Sequence, residues 1–271
     1  VALNDPARRR AVERDGDYFV VEGVLAIERL LDLVAGAAPG EGWRVRTMAV
    51  LPRVAERLAP RLAAATAAGH RPEVAVVEEA ELRAVVGFDL HRGALASVAR
   101  RPPLGLDDAV ARLVADPARP LLVVEGVNDH ENLGALYRNA AAFGAAAVAL
   151  DPTSANPFYR RSVRVSLGHV LAVPTAAVPP LGQALPALHA AGVATVALTP
   201  AGDVDLRRLD RAALGGRPVA VVVGAEGPGL SDAALAAAEV RAAIEMAPGV
   251  DSLNVATAAA IALFQLSLRS S

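Results

Sequence analysis

Between residues 121 and 244, five short apolar runs recur with helix-length segments between them, and this alternation constrains the fold more than any other feature. The runs are Leu121–Glu125, Ala146–Leu150, Val193–Leu198, Pro218–Gly224 and Arg241–Ile244. They are apolar almost throughout rather than at every second residue. A strand with one wet face alternates, whereas a strand covered on both faces does not. The pattern predicts a parallel sheet with helices on both faces, an α/β fold. Leu133–Phe143, Leu181–Ala190 and Asp232–Ala238 read as helices, and Leu253–Leu268 as a long Ala-rich one.

The first hundred residues repeat the alternation on a smaller scale. Strands are expected at Tyr18–Val21, Arg44–Val50, Glu73–Val77 and Ala94–Ala99, with helices ending near Val34, over Val54–Ala68 and starting at Glu79. Arg100-Arg101-Pro102-Pro103-Leu104-Gly105 then stops regular structure, and Asp107–Ala115 reads as a short linking helix. The organisation predicted is a small α/β domain over 1–100, a linker over 101–118 and a larger α/β domain over 119–271. The pentapeptide Val-Val-Glu-Gly-Val occurs at Val20–Val24 and again at Val123–Val127. The similarity ends there, so it marks two independent strand-to-turn junctions.

Composition removes several kinds of chemistry. The chain has no Cys, which excludes disulfides, thiolate nucleophiles and iron–sulfur ligation. It has no Lys either, which excludes a P-loop lysine and a pyridoxal Schiff base. All positive charge is therefore arginine, and 27 basic against 29 acidic residues leave a net charge of -2. No global basic footprint of the kind nucleic-acid binders often show is present. Locally, Asn156 to Val170 holds Arg160, Arg161 and Arg164 with no acid, just after Phe158 and Tyr159. That segment reads either as a solvated helix face or as a phosphate-gripping patch with a stacking ring. No metal-ligand spacing stands out. The apolar run from Ala140 to Leu150 falls short of the roughly 20 residues that span a bilayer, and Pro174, Pro179, Pro180, Pro186 and Pro200 break up the uncharged stretch from Val170 to Gly202. The opening residues Asp5, Arg8, Arg9, Arg10 and Glu13 do not resemble a signal peptide, so a cytoplasmic protein is expected.

Three segments carry chemistry. Asn128 to Ala140 runs from a strand end through a polar turn into a helix, at the edge where parallel sheets place ligands. In it Asn132 reads as an N-cap, Gly134 hints at close backbone approach, and Arg138 stands in an otherwise apolar helix. Val221 to Asp232 is a buried strand entering a Gly-rich turn, with Ser231 or Asp232 capping the next helix. Its glycines Gly224, Gly227 and Gly229 run G-x-x-G-x-G, not the dinucleotide spacing G-x-G-x-x-G, and Glu226 in the turn would repel a pyrophosphate. A cationic or neutral ligand fits better there. Ile244 to Ala260 places Ser252 as N-cap of the last helix and Asn254 in its first turn, with an amide donor and acceptor to offer.

Together these segments resemble the SpoU/TrmH family of RNA ribose 2′-O-methyltransferases, within the SPOUT superfamily. The family's N-x-G-x-x-x-R-x-A falls on Asn132, Gly134, Arg138 and Ala140. Its glycine-glutamate turn falls on Val223, Gly224, Glu226, Gly229 and Leu230, and its S-L-N-V on Ser252, Leu253, Asn254 and Val255. Phe19-Val20-Val21-Glu22-Gly23 resembles the opening of the family's small N-terminal RNA-binding domain of the ribosomal protein L30e type. Glu245 departs from the family, which often has Pro before the residue matching Met246.

The resemblance implies a SPOUT domain over 119–271 whose parallel sheet carries a deep trefoil knot, an exception to unknotted chains. It implies a homodimer that acts on tRNA or rRNA. It also implies S-adenosylmethionine held by Leu198, Thr199, Gly224, Glu226, Gly229, Ile244, Met246 and Leu253. Catalytic roles carry over to Asn132, Arg138, Glu226, Ser252 and Asn254, and RNA contact is expected of Arg160, Arg161 and Arg164. Two rival readings are a non-catalytic RNA-binding relative and a dinucleotide-dependent oxidoreductase, the latter opposed by the glycine spacing.

Overall fold

The computed structural model describes residues 16–38, 41–86 and 93–267. The charged opening Asp5 to Glu13 lies outside them. The chain divides into two compact units, one of residues up to Pro102 together with Phe158–Ala172, the other of Pro103–Pro157 together with Val173 onward.

The first unit holds a four-stranded sheet of β1 (Tyr18–Glu22), β2 (Val45–Val50), β3 (Glu73–Val76) and β4 (Ala94–Ala99), in the order β1-β4-β2-β3. β2 and β3 run parallel and the other neighbours antiparallel. Helix α1 (Val24–Ala35) buries Ile27, Leu30, Leu31 and Val34, the i, i+3, i+4, i+7 stripe of an amphipathic helix. It packs on α2 (Pro52–Ala67), whose Pro52 sits in the first turn where no N–H is missed. Arg57 of α2 grips Glu28 of α1 with two bonds of 2.8 Å. The hydrogen bond from Arg57 holds the Glu28 carboxyl below its usual range. Helix α3 (Glu79–Val86) completes the expected elements.

The second unit begins with α4 (Leu106–Ala115), β5 (Leu121–Glu125), α5 (His130–Ala142) and β6 (Ala147–Leu150). The chain then leaves it for α6 (Arg160–Val165) and α7 (His169–Ala172), which belong to the first unit. It returns as β7 (Thr175–Ala177), α8 (Leu181–Ala190), β8 (Ala194–Leu198), the short β9 (Val204–Asp205) and a 3-10 turn at Leu206–Arg208. β10 (Val219–Gly224), α9 (Asp232–Ala237), β11 (Val240–Ala243) and α10 (Val255–Leu266) finish it. The seven strands form one parallel sheet in the order β7-β6-β5-β10-β8-β11-β9. β5, β6 and β8 are buried at almost every residue, as their unbroken apolar runs require.

Two boundaries differ from the sequence reading. Residues 106–115 do not link domains: Ala109 and Leu113 are fully buried in the core of the second unit, and Leu104 bridges to Ala176 beside β7. Residues 158–172 leave the larger unit because Phe158 is drawn into an aromatic cluster with Phe19 and Trp43, and the Trp43 indole donates to the Leu171 carbonyl at 2.8 Å. The largest side chain buried in the second unit is Tyr137 of α5, whose hydroxyl meets Thr175 Oγ1 at 2.6 Å. Burial pushes its phenol pKa up, so it stays neutral and structural.

Candidate functional site

The order of the parallel strands reverses between β5 and β10, so the loops leaving these neighbours diverge and open a crevice at the carboxyl edge. Four loops meet there, after β5, β8, β10 and β11.

After β5, the Gly126 N–H donates to Asp151 Oδ1 at 2.9 Å, tying this loop to the end of β6. Asp151 also accepts bonds from Ser154 Oγ and from the amide and hydroxyl of Thr153. Burial raises its pKa, but the bonds from Gly126, Ser154 and Thr153 outweigh that and hold it below the ordinary carboxyl range. Asp129, not Asn132, caps α5: its Oδ1 accepts from the amides of Glu131 at 2.6 Å and Asn132 at 3.0 Å. The capping job falls to the earlier residue, and the Asn132 amide group is left for other contacts.

After β10, the turn doubles back so tightly that a Cβ on Gly224 would lie 2.2 Å from the Gly229 carbonyl carbon. Only glycine fits at that crossing. Ser231 caps α9, accepting from Ala234 N at 3.2 Å. Its own hydroxyl and amide donate to the two carboxylate oxygens of Glu125, at 2.8 Å each. Glu125, opposite Gly224 in the β5–β10 register, thus anchors the far end of the loop that carries Glu226.

After β11 the chain reaches Asn254, which caps α10 through Oδ1, accepting from Ala256 N at 3.0 Å and Thr257 N at 3.2 Å. Sequence reading gave this job to Ser252, which instead lies two residues upstream and exposed. Because Oδ1 is committed to the helix, the amide nitrogen must face away from it. There it donates to Asn132 Oδ1 and to Glu226 Oε1, both at 2.7 Å. One side chain therefore joins all three segments singled out in the sequence.

Beside this junction lies a cavity of about 520 Å³, within the usual range for small-molecule sites. Its lining includes Leu198 and Thr199 after β8, Gly224, Glu226 and Gly229 of the β10 turn, and Ile244, Met246 and Leu253 after β11. Ser252 and Asn254 also line it. The structure thus gathers all eight expected cofactor contacts around one cavity. Arg138 is not among the lining residues; it is exposed on α5 and forms no ion pair among the described residues. Arg160, Arg161 and Arg164 belong to the other unit, on α6, with Ser162 and Val163 buried between them. Phe158 packs against Phe19 and Trp43 and is not a free stacking ring. Among the described residues no group of three or more His, Asp or Glu is placed to hold a metal ion, and no helix is long and apolar enough to cross a membrane.

Residues 119–264, which contain every residue of the Asn132–Glu226–Asn254 junction, match the model of the SpoU rRNA Methylase family. The chain belongs to that family. Relatives extend the likeness beyond that segment: a tRNA/rRNA methyltransferase of Mycobacterium tuberculosis described as uncharacterized is 40% identical over 97% of this chain and 85% of its own. A 23S rRNA (guanosine-2′-O-)-methyltransferase of Ralstonia nicotianae is 33% identical over 77% of this chain and 81% of its own. The crystal structure of an AdoMet-bound rRNA methyltransferase from Sinorhizobium meliloti superposes with a TM-score of 0.76 at 28% identity, over 98% of this chain and 95% of that one. Against this SpoU-family frame, Glu125, Asp129 and Asp151 are the site residues that sequence reasoning passed over. Asp129 carried a signal, an acid three residues before Asn132 at a helix start. Glu125 and Asp151 carried none, because their partners Ser231 and Gly126 are brought to them by strand pairing.

Proposed function

We propose that this SpoU-family chain transfers a methyl group from S-adenosylmethionine to a ribose 2′-hydroxyl of tRNA or rRNA. The observation that carries the reading is the junction of Asn132, Glu226 and Asn254 at the rim of the cavity. The cavity suits this cofactor. Leu198, Ile244, Met246 and Leu253 give it apolar walls, bare backbone is offered by the glycine turn, and the ionisable group in its lining is the Glu226 carboxylate. Such a site accepts a neutral purine and a cationic sulfonium and disfavours a pyrophosphate. When bound, S-adenosylmethionine supplies an electrophilic methyl group.

The chain's own residues do the remainder. A ribose hydroxyl is a weak nucleophile and needs alignment, which contributes up to ~7–11 kcal/mol in ideal cases, and a place for its proton. Asn254 holds Glu226 and Asn132 in fixed positions, leaving Glu226 Oε2 as an acceptor and Asn132 Nδ2 as a donor on the rim. Glu226 is the carboxylate placed to take the hydroxyl proton, while Asn132 and Ser252 orient the sugar. Arg138, outside the cavity and unpaired, holds an RNA phosphate and stabilises negative charge growing on the oxygen. A guanidinium with a pKa above ~12 is a poor proton acceptor.

The second unit is on this reading the methyltransferase domain, and the first a small RNA-binding domain of the L30e type. A trefoil knot in the former is proposed on the family match over residues 119–264. A homodimer is supported by α10, which packs on α5 and leaves Phe264 62% and Ile261 39% exposed, with the Phe143 ring edge-on to Phe264. We place the enzyme in the cytoplasm, with its RNA.

Labelled S-adenosylmethionine incubated with the enzyme and total tRNA or rRNA from a strain lacking the gene tests the reading. Label should enter RNA at a site that resists alkaline cleavage, as a blocked 2′-oxygen must. Label on a base, or cofactor binding without transfer to any RNA, would overturn it.

A further inference from the structure

The four-stranded sheet of the first unit ends in a band of arginine. Tyr18, where β1 begins, pairs with Ala99, where β4 finishes. The Ala99 amide donates to the Arg44 carbonyl at 2.9 Å and the Arg100 amide to the Asp17 carbonyl at 3.0 Å. Arg44, just before β2, and Arg46 within it are thereby set beside Arg100 and Arg101 at one end of three adjacent strands. The Arg46 guanidinium lies 5.1 Å from the centroid of the Tyr18 ring, and that of Arg101 lies 5.2 Å from the Trp43 ring.

Two other guanidinium groups of this unit are neutralised internally. Arg57 and Arg61 pair with Glu28 and Asp32 of α1. Arg44, Arg46, Arg100 and Arg101 have no ion pair among the described residues, and against Asp17, Glu41 and Glu73, the last opposite Thr47 at the start of β3, the band keeps net positive charge. The same indole that Arg101 covers also fixes the segment bearing α6. Trp43 meets the Phe158 ring at 5.3 Å and donates to the Leu171 carbonyl, and α6 packs on β1. Arginines from two distant stretches of chain are thus mounted around one aromatic cluster.

We infer that this band, continuing onto α6, takes the sugar–phosphate backbone of single-stranded RNA, with Tyr18 as the ring on which a base stacks. The inference rests on the reading that the chain acts on RNA and names the surface that first grips it. With no Lys in the chain, guanidinium groups are its permanently charged cationic side chains, and a planar fork matches a phosphate bidentately. Arginines stacked on Tyr18 and Trp43 are pre-oriented and lose less freedom on binding. A positive groove interleaved with rings is the pattern that binds single strands.

The test uses the full chain and a fluorescein-labelled 20-nucleotide single-stranded RNA of mixed sequence, titrated by anisotropy over a range of salt. Replacing Arg44, Arg100 and Arg101 with Gln should weaken binding and reduce the slope of log affinity against log salt by about 2, at ~0.7 per lost phosphate contact on a single strand. Cofactor binding by calorimetry and the melting temperature should not change. In the unmodified protein, RNA should alter the emission of Trp43, the chain's single tryptophan. That measurement stands even where the triple variant folds poorly. An unchanged salt slope in a folded variant, or Trp43 emission indifferent to saturating RNA, overturns the inference while leaving the methyltransferase reading intact. Displacement of the RNA by polyglutamate as readily as by unlabelled RNA also overturns it, marking a general polyanion surface. If the unmodified protein binds cofactor but no RNA at any salt, both readings fall together.

Discussion

At the residue scale, Asn254 has two jobs that one substitution separates. Its oxygen caps α10 and its nitrogen holds Asn132 and Glu226. Aspartate caps a helix about as well as asparagine, so Asn254→Asp should keep the melting temperature to within the equivalent of ~1 kcal/mol. It replaces a donor by a second carboxylate beside Glu226, so the junction opens, and single-turnover methylation should fall about 100-fold, the cost of small misplacement. Near-normal turnover would remove Asn254 from the positioning machinery. Arg138 offers the complementary case. Because it is exposed and outside the cavity, Arg138→Ala should leave S-adenosylmethionine affinity unchanged while lowering turnover by ~10²–10³-fold, the scale for one lost charge-stabilising donor. Arg138→Lys should restore part of the rate, since it keeps the charge and loses the fork. Loss of cofactor binding in step with activity would make Arg138 a scaffold of the pocket instead.

At the element scale, the site is assembled by ties between loops that belong to different strands. Asp151 at the end of β6 clamps the loop after β5, and Glu125 at the end of β5 clamps the loop after β10. The folded-state pKa of Asp151 is depressed, so its contribution to stability is present above the unfolded carboxyl value near ~3.9 and is lost as pH falls through the folded value. Asp151→Asn removes that contribution at neutral pH. The unmodified protein should therefore lose more stability than the variant as pH drops below about 4, read as urea midpoints at a series of pH values. Parallel curves would show that the carboxylate charge on this tie contributes nothing.

At the scale of the whole molecule, the units do not follow chain order. A fragment of residues 119–271 contains every motif, yet it lacks α4, whose Ala109 and Leu113 close the core, and it carries the 158–172 segment without the Phe19 and Trp43 that receive Phe158. Such a fragment should fold poorly. A chain of 103–271 in which a Gly/Ser linker replaces 158–172 should fold and bind S-adenosylmethionine with the affinity of the full protein, by calorimetry and melting. If the 119–271 fragment is the more stable of the two, α4 is dispensable and the division into units is mistaken.

Much of this was legible from residues alone, because it depends on local rules. Continuous apolar runs specify doubly covered strands, and all nine strands expected from the sequence are present to within a few residues. Missed were β7 and β9, three and two residues long, which become strands only because a neighbouring edge pairs with them. The three site segments were legible too, since unusual polar and glycine residues interrupt apolar surroundings. Which side chain does which job was not. Asn132, Ser252 and Asn254 all have the chemistry of an N-cap, yet the caps are Asp129 and Asn254, decided once the backbone entered each helix at a particular turn. The meeting of Asn132, Glu226 and Asn254 joins residues up to 122 positions apart, and no local pattern encodes it. Parallel pairing of β5 with β10 set those loops side by side, and the demand that a buried or crowded polar group find a partner decided the contacts.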